Sequence, residues 1–582
     1  MKKSLLVLLS LLVVVAMLLS ACGGAAAEEE AVVEEEATTE EEVVVEEEEA
    51  EEATTEEETE EEAVVDEDWV AQYEIINENC GETDIIKSIT APDKYTVVFE
   101  LCRTNPAFIT KLPFVDFVIS PSEYIEAQGG SGEMLRHFIG TGPYYLEEWK
   151  QGESITFKKF DDYWGEKAVN DGFNLRWAKE GTTRLLELQA GTADWISSPA
   201  IDDWETIEED ENLTLINVPS ADVMYLAFIN TVEPFDDVNV RKAIALGLDR
   251  QRLVDNFYPE GASVPTQFTP GTIEYGGLGE DWYEFDVEAA KELLAEAGYP
   301  DGFATKLYYR DVYRGYLPEP GPTAVDIQTQ LKENLNIDVE VIVMESGEFI
   351  AESSSGNLDG MYMLGWGMDY PHITNMLDYH FNAANPQFGD PIYTEIYEPL
   401  QTAAGLTDPE QLTELYTAAN NAIKELVPMV PAARGASANA SVATLEDITR
   451  PVFGVVYWST VEAPNGGMLN LVQNAEPISL MCNDESDGES VAPCVQAMEG
   501  LLKYDAEGKP SAALAESYVE SEDGLTYTFT LRQGVKFHDG SDFDANDVLA
   551  TWDLGLNLNS PNHVGNTGAF DYWSYLWGLI GD

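Results

Sequence analysis

ALAESYVESEDGLTYTFTLRQGVKFHDGSDFDANDV, residues Ala513 to Val548, reads as a hairpin followed by a capped helix. Asp523-Gly524 is a tight-turn dipeptide, because glycine takes positive φ at no steric cost. After it, Leu525, Tyr527, Phe529 and Leu531 alternate with Thr526, Thr528 and Thr530, the period of two of a strand buried on one face. A second pair, Asp539-Gly540, turns the chain again. Asp544 is placed to N-cap a helix over 545–552, with Asp547 three residues on, near the positive helix end.

Outward from this stretch the same local signals recur. Pro92-Asp93-Lys94 turns the chain into an alternating strand over 95–101. Helices are expected at 185–190, 240–245, 326–335 and over DVEAAKELLAEAG, 286–298, which ends on a glycine C-cap. Strands are expected at 226–230 and 338–344. At 582 residues the chain suits two or three lobes rather than one small core.

Lys2-Lys3, the apolar run from Leu5 to Leu19 and Leu19-Ser20-Ala21-Cys22 form the positive region, hydrophobic region and cleavage site of an export signal over 1–22. The tetrapeptide resembles a bacterial lipoprotein signal, which implies lipidation of Cys22; an ordinary secretory peptide or a membrane anchor is the alternative. The run is short for a spanning helix of ~20 residues. Residues 23–68 are dominated by Glu with Ala, Val and Thr, so like-charge repulsion and scarce apolar area predict a disordered acidic tether, either a spacer or a solubilising tail.

The net charge of −78 extends beyond that tether, since the chain has only 30 Lys and Arg against 108 Asp and Glu. It excludes nucleic acid and anionic lipid as partners. Charge spread over the whole chain fits a salty habitat, where the Debye length falls to ~3 Å at 1 M salt, better than it points at a pocket; a cationic ligand is the other reading. Cys80, Cys102, Cys482 and Cys494 are an even number in an exported chain and predict two disulfides. Proximity favours Cys80–Cys102 and Cys482–Cys494 among three possible pairings, with buried free thiols as the alternative.

No Cys/His spacing suggests a metal site, and no cofactor is expected. G-x-S-x-G, P-loop and H-E-x-x-H motifs are absent, so the expectation is a binding protein rather than an enzyme. Asn483 to Gly488 begins like a calcium loop, but position twelve is Cys494 instead of Glu. His372 and His380 are the thin reason to keep nickel open.

The stretch at Ala513–Val548 resembles the signature of the family 5 extracellular solute-binding proteins, the peptide, dipeptide and nickel receptors of ABC importers. Further matches follow in order and spacing: Gly140-Thr141-Gly142-Pro143-Tyr144, Phe160-Asp161-Asp162-Tyr163-Trp164-Gly165, Gly191-Thr192-Ala193-Asp194, and Pro234-Phe235-Asp236-Asp237-Val238 running into Val240-Arg241-Lys242-Ala243. In the family the signature lies near the mature N-terminus, whereas here it follows the rest. Met468-Leu469-Asn470-Leu471 and Glu476-Pro477-Ile478-Ser479-Leu480 resemble the family's mature N-terminus, and 442–457 its C-terminus. Blocks 69–462 and 463–582 therefore resemble one family member in swapped order, as in a circular permutation. A fusion of two truncated copies or an assembly artefact would give the same order.

The resemblance implies an α/β fold of the type II periplasmic-binding-protein kind, with two large lobes plus an extra smaller lobe hinged around a ligand cleft. Lobe I is expected from 140–231 with 433–484, the extra lobe II from 69–139 with 485–582, and lobe III from 232–432. Gly365-Trp366-Gly367-Met368-Asp369-Tyr370-Pro371 resembles the motif whose Asp pairs with the ligand's α-ammonium in peptide-binding members. Asp369 would be that acid, with Trp366 and Tyr370 as the cleft wall and Gly365 beside them; Glu476 and Ser479 would lie on a cleft loop making main-chain contacts. The next residues, His372-Ile373-Thr374, depart from the family's Asp-Pro, which leaves the ligand class open to an oligosaccharide or nickel complex. The implied function is a monomeric, lipid-anchored receptor on the outer face of the cytoplasmic membrane, passing peptides to an ABC permease. An envelope hydrolase or scaffold on the same fold is the alternative.

Overall fold

The computed structural model describes residues 69–81, 84–218, 221–381, 386–389, 393–446, 448, 456–464 and 466–581. The signal over 1–22, Cys22 and the tether over 23–68 lie outside the described residues.

The hairpin forms as its turn dipeptide dictates. Gly524 sits at φ +66°, and Ala515–Glu520 pairs antiparallel with Thr526–Leu531. Tyr527, Phe529 and Leu531 are buried while the threonines face outward. The other edge of Thr526–Leu531 pairs antiparallel with Thr96–Leu101, matching Tyr527 to Phe99 and Phe529 to Val97. Strands Ile86–Asp93 and Ile75–Ile76 complete this five-stranded sheet, so it is assembled from the two ends of the described residues. Trp69 Nε1 donates to Asp544 Oδ2 at 3.1 Å, and the Ile85 amide donates to the Trp577 carbonyl at 3.0 Å, across the same join.

Asp544 caps a helix that runs Ala545–Leu556, four residues beyond the expected end. Its side chain accepts from the Asn546 amide, and Asp547 returns a bond from the Asp544 amide at 2.9 Å, closing a capping box. All twelve helix residues are buried, because Phe99, Phe117, Trp573 and Trp577 surround Trp552.

A seven-stranded sheet follows the order Tyr144–Lys150, Ser154–Lys159, Gly172–Trp177, Met468–Gln473, Trp195–Ser197, Ser437–Val442, Leu213–Val218. Met468–Gln473 runs parallel to both of its neighbours, so a strand from the late block is interior to a sheet from the early one. The third sheet has the order Asp338–Met344, Ala304–Arg310, Met361–Gly367, Asp222–Phe228, Met429–Ala433. The helix Pro320–Leu335 packs on Asp338–Met344 and Ala304–Arg310, and the helices Val238–Gly247 and Val287–Glu296 pack on that helix and on each other.

Two segments fall across the expected lobe limits. Asp222–Phe228, at the end of 140–231, belongs to the third sheet: residues 223–228 are all buried and pair on both edges. The helix Gly488–Cys494, in 485–582, contributes to the core of the seven-stranded sheet through Cys494, tied back by the Cys482–Cys494 disulfide. The second disulfide joins Cys80 to Cys102. Among the described residues no helix is long and apolar enough to cross a membrane.

Candidate functional site

A cavity of about 490 Å³ opens where the three sheets' territories meet. Phe173, Leu175, Trp195 and Leu471 of the seven-stranded sheet form its floor, and Trp458 packs edge-on to Trp195 at 5.1 Å. Phe114 and Asp116 enter from the turn that leads into the buried aromatic cluster, and Tyr572 from the helix Asp571–Trp577. Met368 and Asp369 close it from the third sheet, just beyond the strand Met361–Gly367.

Asp369 is held in a defined orientation. Asn375 Nδ2 donates to its Oδ2 at 3.2 Å, and the Tyr572 hydroxyl donates to its Oδ1 at 3.2 Å. Trp366 Nε1, which can only donate, bonds Asn375 Oδ1 at 2.7 Å and so turns the amide NH₂ toward Asp369. Burial raises the Asp369 carboxyl above its ordinary range, opposed by these two hydrogen bonds. The Tyr572 ring packs on Phe114, with centroids 4.4 Å apart.

Of the residues expected at the site, only Asp369 lines the cavity. Trp366 is no wall: its indole stacks on Tyr379 with centroids 3.9 Å apart, and it acts on Asp369 through Asn375. Tyr370 is buried in the neighbouring core, its hydroxyl 3.2 Å from Thr374 Oγ1 and Lys111 over its ring. Gly365 is a packing position, where a Cβ would come within 2.5 Å of the Val223 carbonyl and closer still to the Tyr316 ring. Glu476 accepts from Trp149 Nε1 and the Gly152 amide, fixing a hairpin turn of the seven-stranded sheet. Ser479 is buried and donates to Glu485. Neither reaches the cavity.

The histidines also lie elsewhere. His372 is fully buried with Nδ1 2.9 Å from Thr374 Oγ1, and His380 packs among Tyr225, Phe268 and Trp366. Burial lowers their pKa values to about 3 and about 4. The calcium-like loop turns inward: Asp484 accepts from the backbone amides of Asn566, Thr567, Gly568 and Phe570. Among the described residues no group of three or more His, Cys, Asp or Glu could hold a metal ion.

Sequence reasoning missed Asp116 and Tyr572. Asp116 carried a readable signal, an acid inside the apolar run Pro113-Phe114-Val115-Asp116-Phe117. Tyr572 carried none, because its place beside Asp369 depends on contacts between distant parts of the chain.

The family model for bacterial extracellular solute-binding proteins, family 5 Middle, matches residues 50–388 and 509–570. The chain is 28% identical to heme-binding protein A of Haemophilus influenzae over 361 residues, 60% of this chain and 65% of that protein. It is 28% identical to the dipeptide-binding protein of Escherichia coli over 359 residues, 60% of this chain and 66% of that protein. It thus spans just under two thirds of these relatives' length. HbpA2 from Haemophilus parasuis superposes with a TM-score of 0.61 at 26% identity, over 65% of this chain and 76% of that one. A dipeptide-binding protein from Pseudoalteromonas sp. SM9913, solved with Met-Leu, gives a TM-score of 0.53 at 25% identity over the same shares. The fold is the mixed α/β architecture of the type II periplasmic binding proteins, and the chain belongs to the family 5 bacterial extracellular solute-binding proteins.

Proposed function

We propose that the protein is the extracytoplasmic substrate-binding receptor of an ABC importer, and that it captures a small peptide-like ligand by its free ammonium group at Asp369. The observation that carries this reading is the oriented, part-buried carboxylate in an aromatic-walled cavity between sheets. A volume of about 490 Å³ lies inside the range of small-molecule sites, roughly 300–1,000 Å³. An ion pair formed there is far stronger than one in water, because little solvent screens it. In this reading lobes I, II and III close by hinge motion around the ligand. The receptor is monomeric, held to the membrane through Cys22, and delivers its ligand to the permease without turnover.

The order of the chain is read as a circular permutation. The interior positions of Met468–Gln473 and Thr526–Leu531 support it, because each supplies what the early block alone would lack.

Calorimetry with dipeptides tests the reading. Asp369→Asn is expected to weaken binding of a peptide with a free amine by ~2–5 kcal/mol, the cost of removing one partner of a buried charge pair. Unchanged affinity would remove Asp369 from the site. Hydrolysis of the peptides by the purified protein would favour an enzyme instead.

A further inference from the structure

Asp116 lies on the short 3-10 turn Val115–Phe117, is 2% exposed and lines the same cavity as Asp369. Its Oδ1 has no hydrogen-bond partner among the described residues. The fold treats the other buried acids nearby differently. Asp484 receives four backbone amides, Glu485 receives Ser479 and Asn566, and Asp369 receives Asn375 and Tyr572. An unpartnered buried carboxylate is costly to a fold and is retained where something else pairs with it.

The remaining wall narrows what that partner is. Among the described residues no Lys, Arg or His lines the cavity, while Glu489 adds a third acid to Asp116 and Asp369. A ligand carboxylate would meet no cation among the described lining residues. Trp195 and Ser197 line the cavity as well, and among the described residues Trp195 Nε1 and Ser197 Oγ are buried without hydrogen-bond partners.

Resting on the receptor reading above, we propose that Asp116 is a second cation-binding carboxylate and that the ligand is dicationic: its α-ammonium at Asp369 and a basic side chain at Asp116. Burial, together with Asp484, Glu485, Asp369 and Asp571 nearby, pushes the Asp116 carboxyl well above the ordinary range. A ligand cation beside it reverses that shift, and the proton displaced from the carboxyl goes to the buffer.

Calorimetry on the full chain with Lys-Ala and norleucine-Ala, which differ by the side-chain charge, tests the proposal. Lys-Ala is expected to bind tenfold or more tightly, with a larger release of protons measured in buffers of different ionisation heat. Asp116→Asn is expected to abolish the preference for Lys-Ala over norleucine-Ala. Equal affinities in the unmodified protein, which need no variant to fold, overturn the dicationic ligand, as does a preference that Asp116→Asn leaves intact. Either result together with binding lost in Asp369→Asn leaves the receptor reading standing. If no free-amine peptide binds, or Asp369→Asn binds all of them unchanged, the receptor reading falls and this one with it.

Discussion

The Tyr572 hydroxyl donates to Asp369 Oδ1 at 3.2 Å across 203 residues of sequence, joining a helix of the late block to a strand end of the third sheet. One partner of the candidate ligand-binding acid therefore comes from each side of the cavity. Tyr572→Phe removes that donor and keeps the ring against Phe114. A hydrogen bond to a charged group is worth roughly 1.5–3 kcal/mol, and Asn375 still holds the other oxygen. Binding of a free-amine peptide is expected to weaken by about 1–2 kcal/mol, with melting temperature nearly unchanged. Affinity equal to that of the unmodified protein would mean the bond is broken when ligand is bound.

Asp369 also sets a dependence on pH. Burial raises its carboxyl in the folded state above 3.8, so between those two values the folded state binds more protons than the unfolded one. Its contribution to stability is therefore present below 3.8 and is lost as pH rises through the raised value. Ammonium binding needs the charged form and runs the opposite way. As pH falls through the raised value toward 3.8, affinity for a free-amine peptide is expected to fall while the Asp369 contribution to ligand-free stability rises. Paired titrations and melts of the protein and of Asp369→Asn isolate both effects, and parallel movement of the two would contradict the assignment.

The signature stretch was legible because its causes are local. Two Asp-Gly turns, an alternating strand and an N-cap all lie within residues 513–548, and each formed. The helix end was missed because nothing in 553–556 terminates a helix: Leu554 and Leu556 are fully buried, and Gly555 lies flat against the Trp573 ring. Asp222–Phe228 was misplaced because an apolar run shows that a strand is buried without showing which sheet buries it. Within the candidate site, the motif points to Asp369, whereas the direction of the Trp366 indole is not written in the sequence. Asp116 and Tyr572 became site residues only when the chain closed on itself.

Lys111, on the helix Phe108–Lys111, and Asp378, on the helix Thr374–Phe381, attract each other electrostatically, with Arg103 acting on both. Lys111 Nζ donates to the Leu576 carbonyl at 3.3 Å and lies over the Tyr370 and Trp577 rings. Burial lowers its pKa to about 8, opposed by Asp378 and helped by Arg103, and burial raises Asp378 to about 7, opposed by Lys111 and Arg103. The lysine's contribution to stability is present above 10.5 and lost as pH falls through 8; the aspartate's is present below 3.8 and lost as pH rises through 7. Burial disfavours both charged forms, so the pair contributes least where both groups are ionised. Lys111→Met with Asp378→Asn is expected to match or exceed the parent's stability at pH 7.5, by up to ~1–4 kcal/mol. Its advantage should shrink at pH 5.5 and pH 9 in urea titrations. A double variant weaker at pH 7.5 would mean that the pair's attraction exceeds its desolvation cost.

If the chain is a permuted receptor, its order can be restored without disturbing any element. The contacts that hold the late block are interior: Met468–Gln473 lies between Gly172–Trp177 and Trp195–Ser197, and Thr526–Leu531 lies between Ala515–Glu520 and Thr96–Leu101. The Ile85–Trp577 bond brings the late block's last helix against the start of the early block. Placing residues 463–581 ahead of 69–462 through a short Gly/Ser linker changes only loops, where rearrangements are tolerated. The reordered protein is expected to melt within a few degrees of the parent and to bind the same peptides within about threefold. A chain ending at Glu462 loses an interior strand from each of two sheets and the helix Ala545–Leu556, and is expected to be unfolded by circular dichroism. A truncated chain that folds and binds would show that the late block is a separate fused fragment.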